Sequence, residues 1–377
     1  MSIRIVLIGP YSQTADELKG GVEACVTRLA RALSETDEAE VTVICPGDPN
    51  EPSAAGAVRV RRGPLVERHV VSTAFRAWRS FVATQLDEAA PHLVHGHGLL
   101  AHGLAATEWH RGPRVVTAHG NPWYDTWTPC RSPRNVANAS VRVALGARTT
   151  RAADLIISPN RRRRVNLRAR PRRFAYIPNA VDARFMEATR QPIAGRVLFC
   201  GGEHPIKGFA ELRVAWPEVL RRCSTASLEA TGFARPAEQS ALPAAEVLGP
   251  LPTSALLSAL ERAELLVLPS HFEVSPNLVV EAWAAGTPVI ASSVGGIPVL
   301  GGDAVQRVRP GDPQALAAAI VAGLRGELDL EGLARRGRRR AVAHLPGAVA
   351  TRHLAAYTSL LEASVPSRER AEPARCD

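Results

Sequence analysis

Leu265-Leu266-Val267-Leu268-Pro269-Ser270-His271-Phe272-Glu273-Val274-Ser275-Pro276-Asn277-Leu278-Val279-Val280-Glu281-Ala282-Trp283-Ala284-Ala285-Gly286-Thr287-Pro288-Val289-Ile290-Ala291 reads as a strand, a loop, a helix and a second strand. Residues 265–269 and 289–291 are short apolar runs, and 278–285 is a helical stretch between them. Such a unit brings its second strand back parallel to the first, which requires helices over both faces of the sheet. It also places two carboxylates. Glu273 lies in the loop after the first strand, and Glu281 about one turn inside the helix. The helix start between them offers unpaired amides to an anion.

The same alternation extends in both directions. Strand-like runs at 197–200 and 227–231 precede this stretch, and a helical pattern at 313–324 follows it. Earlier in the chain, runs at 3–8, 41–44, 93–95, 115–118, 155–158 and 175–177 alternate with helical patterns that include 22–33 and 75–88. The expected fold class is therefore α/β, with two Rossmann-like doubly wound parallel-sheet domains. The first spans 1–183 and the second 184–345, without a detectable internal repeat. A last helix, 346–365, is expected to pack back on the first domain, and 366–377 reads as a disordered tail rich in Pro, Arg and Glu. Ligands of open parallel sheets lie beyond the carboxyl ends of the strands, so the expected site is the cleft between the domains.

Composition narrows the function classes. The 377 residues are 46% hydrophobic and 22% charged, which excludes wholesale disorder. No apolar run approaches the ~18 residues of a membrane span, and the opening residues read as a strand rather than a secretory signal, which favours the cytoplasm. Six scattered cysteines form no C-x-x-C pair, so no zinc site or disulfide framework is expected. The net charge of +10 is uneven: eight arginines and no acid fall within residues 160–174. The segment from Arg161 to Arg173 could touch an anionic membrane surface or an acidic acceptor. A second run, 335–340, holds five arginines. Neither run is accompanied by a DNA- or RNA-binding motif, and no nucleic-acid partner is expected.

Several loops could carry chemistry. Lys19-Gly20-Gly21-Val22-Glu23 opens a helix after the first strand, as an anion-binding turn or simply as a turn. Gly201-Gly202-Glu203-His204-Pro205-Ile206-Lys207-Gly208 joins a strand to a helix in a form suited to phosphate. Lys19 and Lys207 are the only lysines in the chain, and both sit in such glycine-flanked loops. His119 ends a buried strand where a ligand would meet it, with His95 and His97 on the neighbouring strand. Trp123, Tyr124, Asp125 and Trp127 could stack on a sugar ring or pin a loop to the core.

Taken together, these landmarks resemble the retaining GT-B glycosyltransferases of family 4, the glycosyl transferases group 1. The shared pattern is E-x7-E, then A-x-G-x-P-V-I-A and a GG loop, here Glu273, Glu281, Gly286, Pro288, Gly295 and Gly296. Lys207-Gly208, Ile177-Pro178-Asn179-Ala180-Val181-Asp182, Gly20-Gly21-Val22-Glu23 and Ala118-His119-Gly120 support it in the family's order. The resemblance implies two domains facing a cleft and transfer of a sugar from a nucleoside diphosphate to an acceptor hydroxyl with retention. It implies no cofactor and no metal, in keeping with the lack of a D-x-D motif.

By the same resemblance, His119, Glu273 and Lys207 are the catalytic candidates. Glu273 would contact the sugar hydroxyls, Glu281 the ribose, and Lys207 the diphosphate together with the amides of Val274, Ser275, Pro276, Asn277 and Leu278. Gly20 and Gly21 would face the distal phosphate, and Gly249 to Leu251 the base. Trp123, Tyr124, Asp125 and Trp127 are acceptor candidates. One position departs from the family, which places an arginine clamp five residues before the lysine, where this chain has Gly202. The expected acceptor is a small secondary metabolite. The alternatives are a cell-envelope glycan or glycolipid, or a non-catalytic donor-binding homologue.

Overall fold

The computed structural model describes residues 2–48, 57–64, 73–121, 133–162, 167–235 and 242–364. Trp123, Tyr124, Asp125, Trp127, Arg163 and Arg164 and the tail lie outside the described residues.

β1 (Ile3–Ile8) is the first domain's central strand, and its last four side chains are buried because helices cover both faces. It pairs in parallel with β2 (Ala39–Pro46) on one side and β4 (Leu93–His97) on the other. β3 (Arg59–Gly63) extends the sheet beyond β2; β5 (Arg114–Thr117), β6 (Leu155–Ser158) and β7 (Phe174–Tyr176) extend it beyond β4. The order is β3-β2-β1-β4-β5-β6-β7. Helices α1 (Gly21–Ser34), α2 (Thr73–Ala89), α3 (Ala101–Thr107) and α4 (Pro133–Ala152) make the connections.

The second sheet repeats the scheme with β8 (Arg196–Cys200), β9 (Ser227–Thr231), β10 (Ala245–Val247), β11 (Leu265–Leu268), β12 (Val289–Ser292) and β13 (Gln306–Val308). Its order, β10-β9-β8-β11-β12-β13, is again parallel throughout. Its helices are α5 (Phe209–Arg222), α6 (Thr253–Arg262), α7 (Asn277–Ala285), α8 (Ile297–Gly301), α9 (Pro313–Leu324) and α10 (Leu330–Ala341). Local chemistry sets several ends. Asp312 accepts from the Ala315 N–H and Asp329 from the Gly332 N–H, capping α9 and α10, and Gly286 at φ 79° stops α7.

In each sheet the strand order reverses beside the first strand, at β1/β4 and at β8/β11, and ligands of such sheets bind at these points. The handover between domains is sharp. Ala180 belongs to the first core and Val181 to the second. The chain then returns: α11 (Pro346–Ser364) packs on α1 and adds Val349, Leu354, Tyr357 and Leu360 to the first core. The crossing segments are hydrogen-bonded to each other, the Val181 N–H donating to the His344 carbonyl at 2.8 Å.

Candidate functional site

Both reversal points open onto one cleft of about 450 Å³ between the domains. From the first domain come the start of α1, with Lys19, Gly20 and Gly21, and His119 just beyond β5. From the second come Lys207 in the loop after β8, Ser270 and Glu273 in the loop after β11, and the start of α7. Neither α1 nor α7 has a side-chain cap on its N-terminus. Two helix ends of positive potential therefore face one cavity from opposite sides.

Four of the charged side chains in the cleft form two ion pairs. Lys207 Nζ lies 2.7 Å from Glu273 Oε1, which also accepts from Ser270 Oγ at 2.9 Å. Glu281, on an otherwise apolar α7, meets Arg28 of α1 at 2.8 Å, with side-chain exposures of 8% and 7%. The same guanidinium donates to the Ala180 carbonyl at the domain junction, and its Nε is buried without a partner. Asn277 donates to the Gly21 carbonyl at 3.1 Å and accepts from Asn179 at 2.8 Å, joining both helix starts to the junction.

His119 lies at the rim of a buried histidine cluster. Its Nε2 is 2.9 Å from His97 Nδ1, and the two rings stack. His97 Nε2 is buried without a partner. His95, beside His97, is held 2.7 Å from both the Tyr357 hydroxyl and Thr117 Oγ1. Burial pushes His119 and His353 down to about 4 and His95 and His97 well below the usual 6.5, so all four are neutral at pH 7. Burial also raises Cys25 to about 11 and Cys200 to about 12, so neither cleft thiol presents a thiolate nucleophile. Among the described residues no group of three or more His, Cys, Asp or Glu side chains is arranged to hold a metal ion.

Of the residues singled out from sequence, Gly20, Gly21, His119, Lys207, Leu251, Glu273, Ser275, Pro276, Asn277, Leu278 and Glu281 line this cleft. Gly202, Gly249 and Val274 do not. Gly202 has φ +60°, and a Cβ there would stand 2.2 Å from the Gly232 carbonyl oxygen. No side chain fits without moving the backbone, so the absence of an arginine is built into the loop. Gly249 accepts from the Gly232 N–H at 3.0 Å, behind the wall. Val274 faces away, and its carbonyl accepts from Asn160 Nδ2 at 2.7 Å.

Arg28 was not anticipated from sequence. The available signal was a charged residue within the largely buried run of α1, matched by a lone carboxylate on the apolar α7. Such residues are rarely buried unless they are paired. Here they pair with each other across the domains.

Residues 19–185 match the Glycosyltransferase Family 4 model, and residues 194–325 match the Glycosyl transferases group 1 model. Glycogen synthase of Mycobacterium tuberculosis is 28% identical over 271 residues, covering 66% of this chain and 64% of that protein. The chain thus spans a little under two thirds of that relative's length. Phosphatidyl-myo-inositol mannosyltransferase of Mycobacterium leprae is 26% identical over 348 residues, covering 86% of this chain and 88% of the relative. Among solved structures, sucrose-phosphate synthase from Thermosynechococcus elongatus superposes with a TM-score of 0.80 at 22% identity, covering 96% of this chain and 100% of that one. The fold is GT-B, and the chain belongs to glycosyltransferase family 4, among the glycosyl transferases group 1.

Proposed function

We propose that the protein transfers a sugar, with retention, from a nucleoside-diphosphate sugar to an acceptor hydroxyl, without metal. The observation that carries this reading is the convergence of Lys207 and two uncapped helix N-termini on one cavity, with Glu273 and Glu281 beside them. Cations and amides suit a diphosphate, and carboxylates suit sugar and ribose hydroxyls.

Before donor binds, Lys207 rests on Glu273. The incoming diphosphate takes the ammonium and the α7 amides, leaving Glu273 to accept from the sugar's hydroxyls. Glu281 accepts from the ribose, and its Arg28 partner brings to the cleft a guanidinium, which Gly202 cannot supply. Cleavage of the bond to the diphosphate puts charge on the leaving oxygen, which Lys207 and the helix dipoles stabilise. That oxygen takes the proton of the acceptor hydroxyl on the face of attack. The enzyme thereby contributes orientation and charge stabilisation rather than a nucleophile.

The acceptor we propose is a small soluble secondary metabolite. A glycolipid acceptor is the second reading, favoured by the name of the mycobacterial mannosyltransferase relative and its coverage of nearly the whole chain. The test is a screen of nucleotide sugars against pooled small-molecule and lipid acceptors, with released nucleotide measured by mass spectrometry and the anomeric configuration by NMR. Lys207→Ala, Glu273→Ala and His119→Ala should each abolish turnover in a folded protein. Full activity of Lys207→Ala, or an inverted product, would overturn the mechanism.

A further inference from the structure

The two arginine runs, some 170 residues apart in the chain, meet in space. A second cavity of about 320 Å³ lies between the domains, with Arg161 on one wall and Arg339 and Arg340 on the other. Arg161 follows β6, and its guanidinium lies over the Tyr176 ring, 4.8 Å from the centroid. The other two end α10.

A helix C-terminus favours basic residues, which explains part of this charge. Arg338 donates to the Met186 carbonyl, and Arg340 pairs with Asp303 at 2.8 Å. Arg339 has no such partner. Neither it nor Arg161 forms an ion pair among the described residues, and no carboxylate lines the cavity. Cations converging from two domains with no anion between them repel, and a bound anion would convert that repulsion into a bridge. The wall between these arginines is the reverse side of the Glu273 loop, held by the bond from Asn160 to the Val274 carbonyl.

We propose that this cavity is an anion site, separate from the donor cleft, that takes a phosphate group between Arg161 and Arg339. The cavity has room for more than a bare phosphate, and Tyr176 and Leu300 give it an apolar side, so a phosphorylated small metabolite fits better than an inorganic ion. Bound there, it would tie the domains together directly behind the loop that carries Glu273.

The test uses the full chain and inorganic pyrophosphate, followed by titration calorimetry. In a Lys207→Ala background, where the donor cleft has lost the ammonium beside Glu273, one equivalent should still bind at the second cavity. Adding Arg161→Gln and Arg339→Gln should lower that affinity by about tenfold or more. The charge-matched pair Arg213→Gln and Arg309→Gln should not. A parallel arm measures sedimentation with phosphatidylglycerol vesicles. Soluble binding assigns the phosphate to a metabolite. Vesicle binding alone, lost with Arg161 and Arg339, assigns it to a lipid headgroup. If neither probe responds to the Arg161 and Arg339 substitutions, or the control pair lowers affinity equally, the site does not exist.

Discussion

Arg28 and Glu281 are each more than nine-tenths buried, and at that depth an unpaired charge is far more costly than a paired one. Removing one partner of such a pair typically costs about 3–5 kcal/mol, whereas removing both leaves no orphaned charge. Arg28→Met should therefore lower the urea midpoint more than Arg28→Met combined with Glu281→Leu, and the positive coupling should appear in a double-mutant cycle. Equal or additive losses would mean that the pair is solvated. His119 presents a subtler case. Its Nε2 faces His97 Nδ1, and one of them must carry the shared proton. If His119 donated it, neutral His97 would have to carry a hydrogen on its buried, partnerless Nε2. Orphaned N–H groups are rarer in protein interiors than orphaned acceptors. The proton therefore belongs to His97 Nδ1, which leaves His119 as the Nδ1–H tautomer with a donor for the cleft. Long-range nitrogen–proton NMR should show that tautomer in the wild type. It should be lost in His97→Leu and regained in His97→Asn, whose amide nitrogen replaces Nδ1. An Nε2–H spectrum for His119 in the wild type would reverse the assignment.

At the scale of elements, α6 begins at Thr253 after a proline and has no cap of its own. Asp16, from the loop that precedes α1 in the other domain, supplies it. Its carboxylate accepts from the Ser254 N–H at 2.8 Å and the Ser254 hydroxyl at 2.7 Å, and its carbonyl accepts from the Thr253 N–H at 2.9 Å. These bonds from Ser254, with Arg184 beside them, hold the carboxyl below the usual aspartate range. The loop is thus tied across the cleft next to Lys19 and Gly20. Asp16→Ala should speed hydrogen exchange at Ser254 and across residues 12–20 while the amides of β8 stay protected. Unchanged exchange at Ser254 would show that the cap is not formed in solution. Elements of this kind mark the limit of what local sequence carries. β1, β6 and β11 were legible because apolar runs buried on both faces have few alternatives. β3, Arg-Val-Arg-Arg-Gly, was not, because an edge strand tolerates charge on its open side. α4 was missed because arginines and small residues blur its apolar face. Glu273 and Lys207 announced themselves by ending strands in loops that face a ligand cleft. Arg28 and Asp16 have their ion-pairing and capping partners in the other domain, and a linear reading has no access to such partners.

The whole molecule is held by a chain that crosses between its domains twice. α11 follows the second domain in sequence, yet its Tyr357 is fully buried in the first and its hydroxyl reaches His95. Beneath this helix, against its own His353, lie His95 and His97, with His119 at the cleft end, so the seam that closes the fold also adjoins the donor site. Burial, reinforced at His95, His97 and His119 by repulsion from neighbouring rings, places every one of their values below the 6.5 of an exposed histidine. The unfolded chain consequently binds more protons than the folded one between pH 6.5 and about 4. The stability these neutral rings confer is complete above pH 6.5 and is lost as the pH falls through that window. Each ring contributes a slope of about 1.4 kcal/mol per pH unit. Urea midpoints should fall steeply from about pH 6.5 to 5.5, above the range where carboxylates titrate. His353→Asn keeps a donor for the Val349 carbonyl but removes one titrating ring, and should shallow the slope by about one proton. The loss should begin with α11, so its amides should exchange early in acid while those of β11 and β12 remain protected. A flat stability profile across this range, or an unaltered slope in His353→Asn, would mean that the cluster takes up protons in the folded state and that acid lability, if any, arises elsewhere.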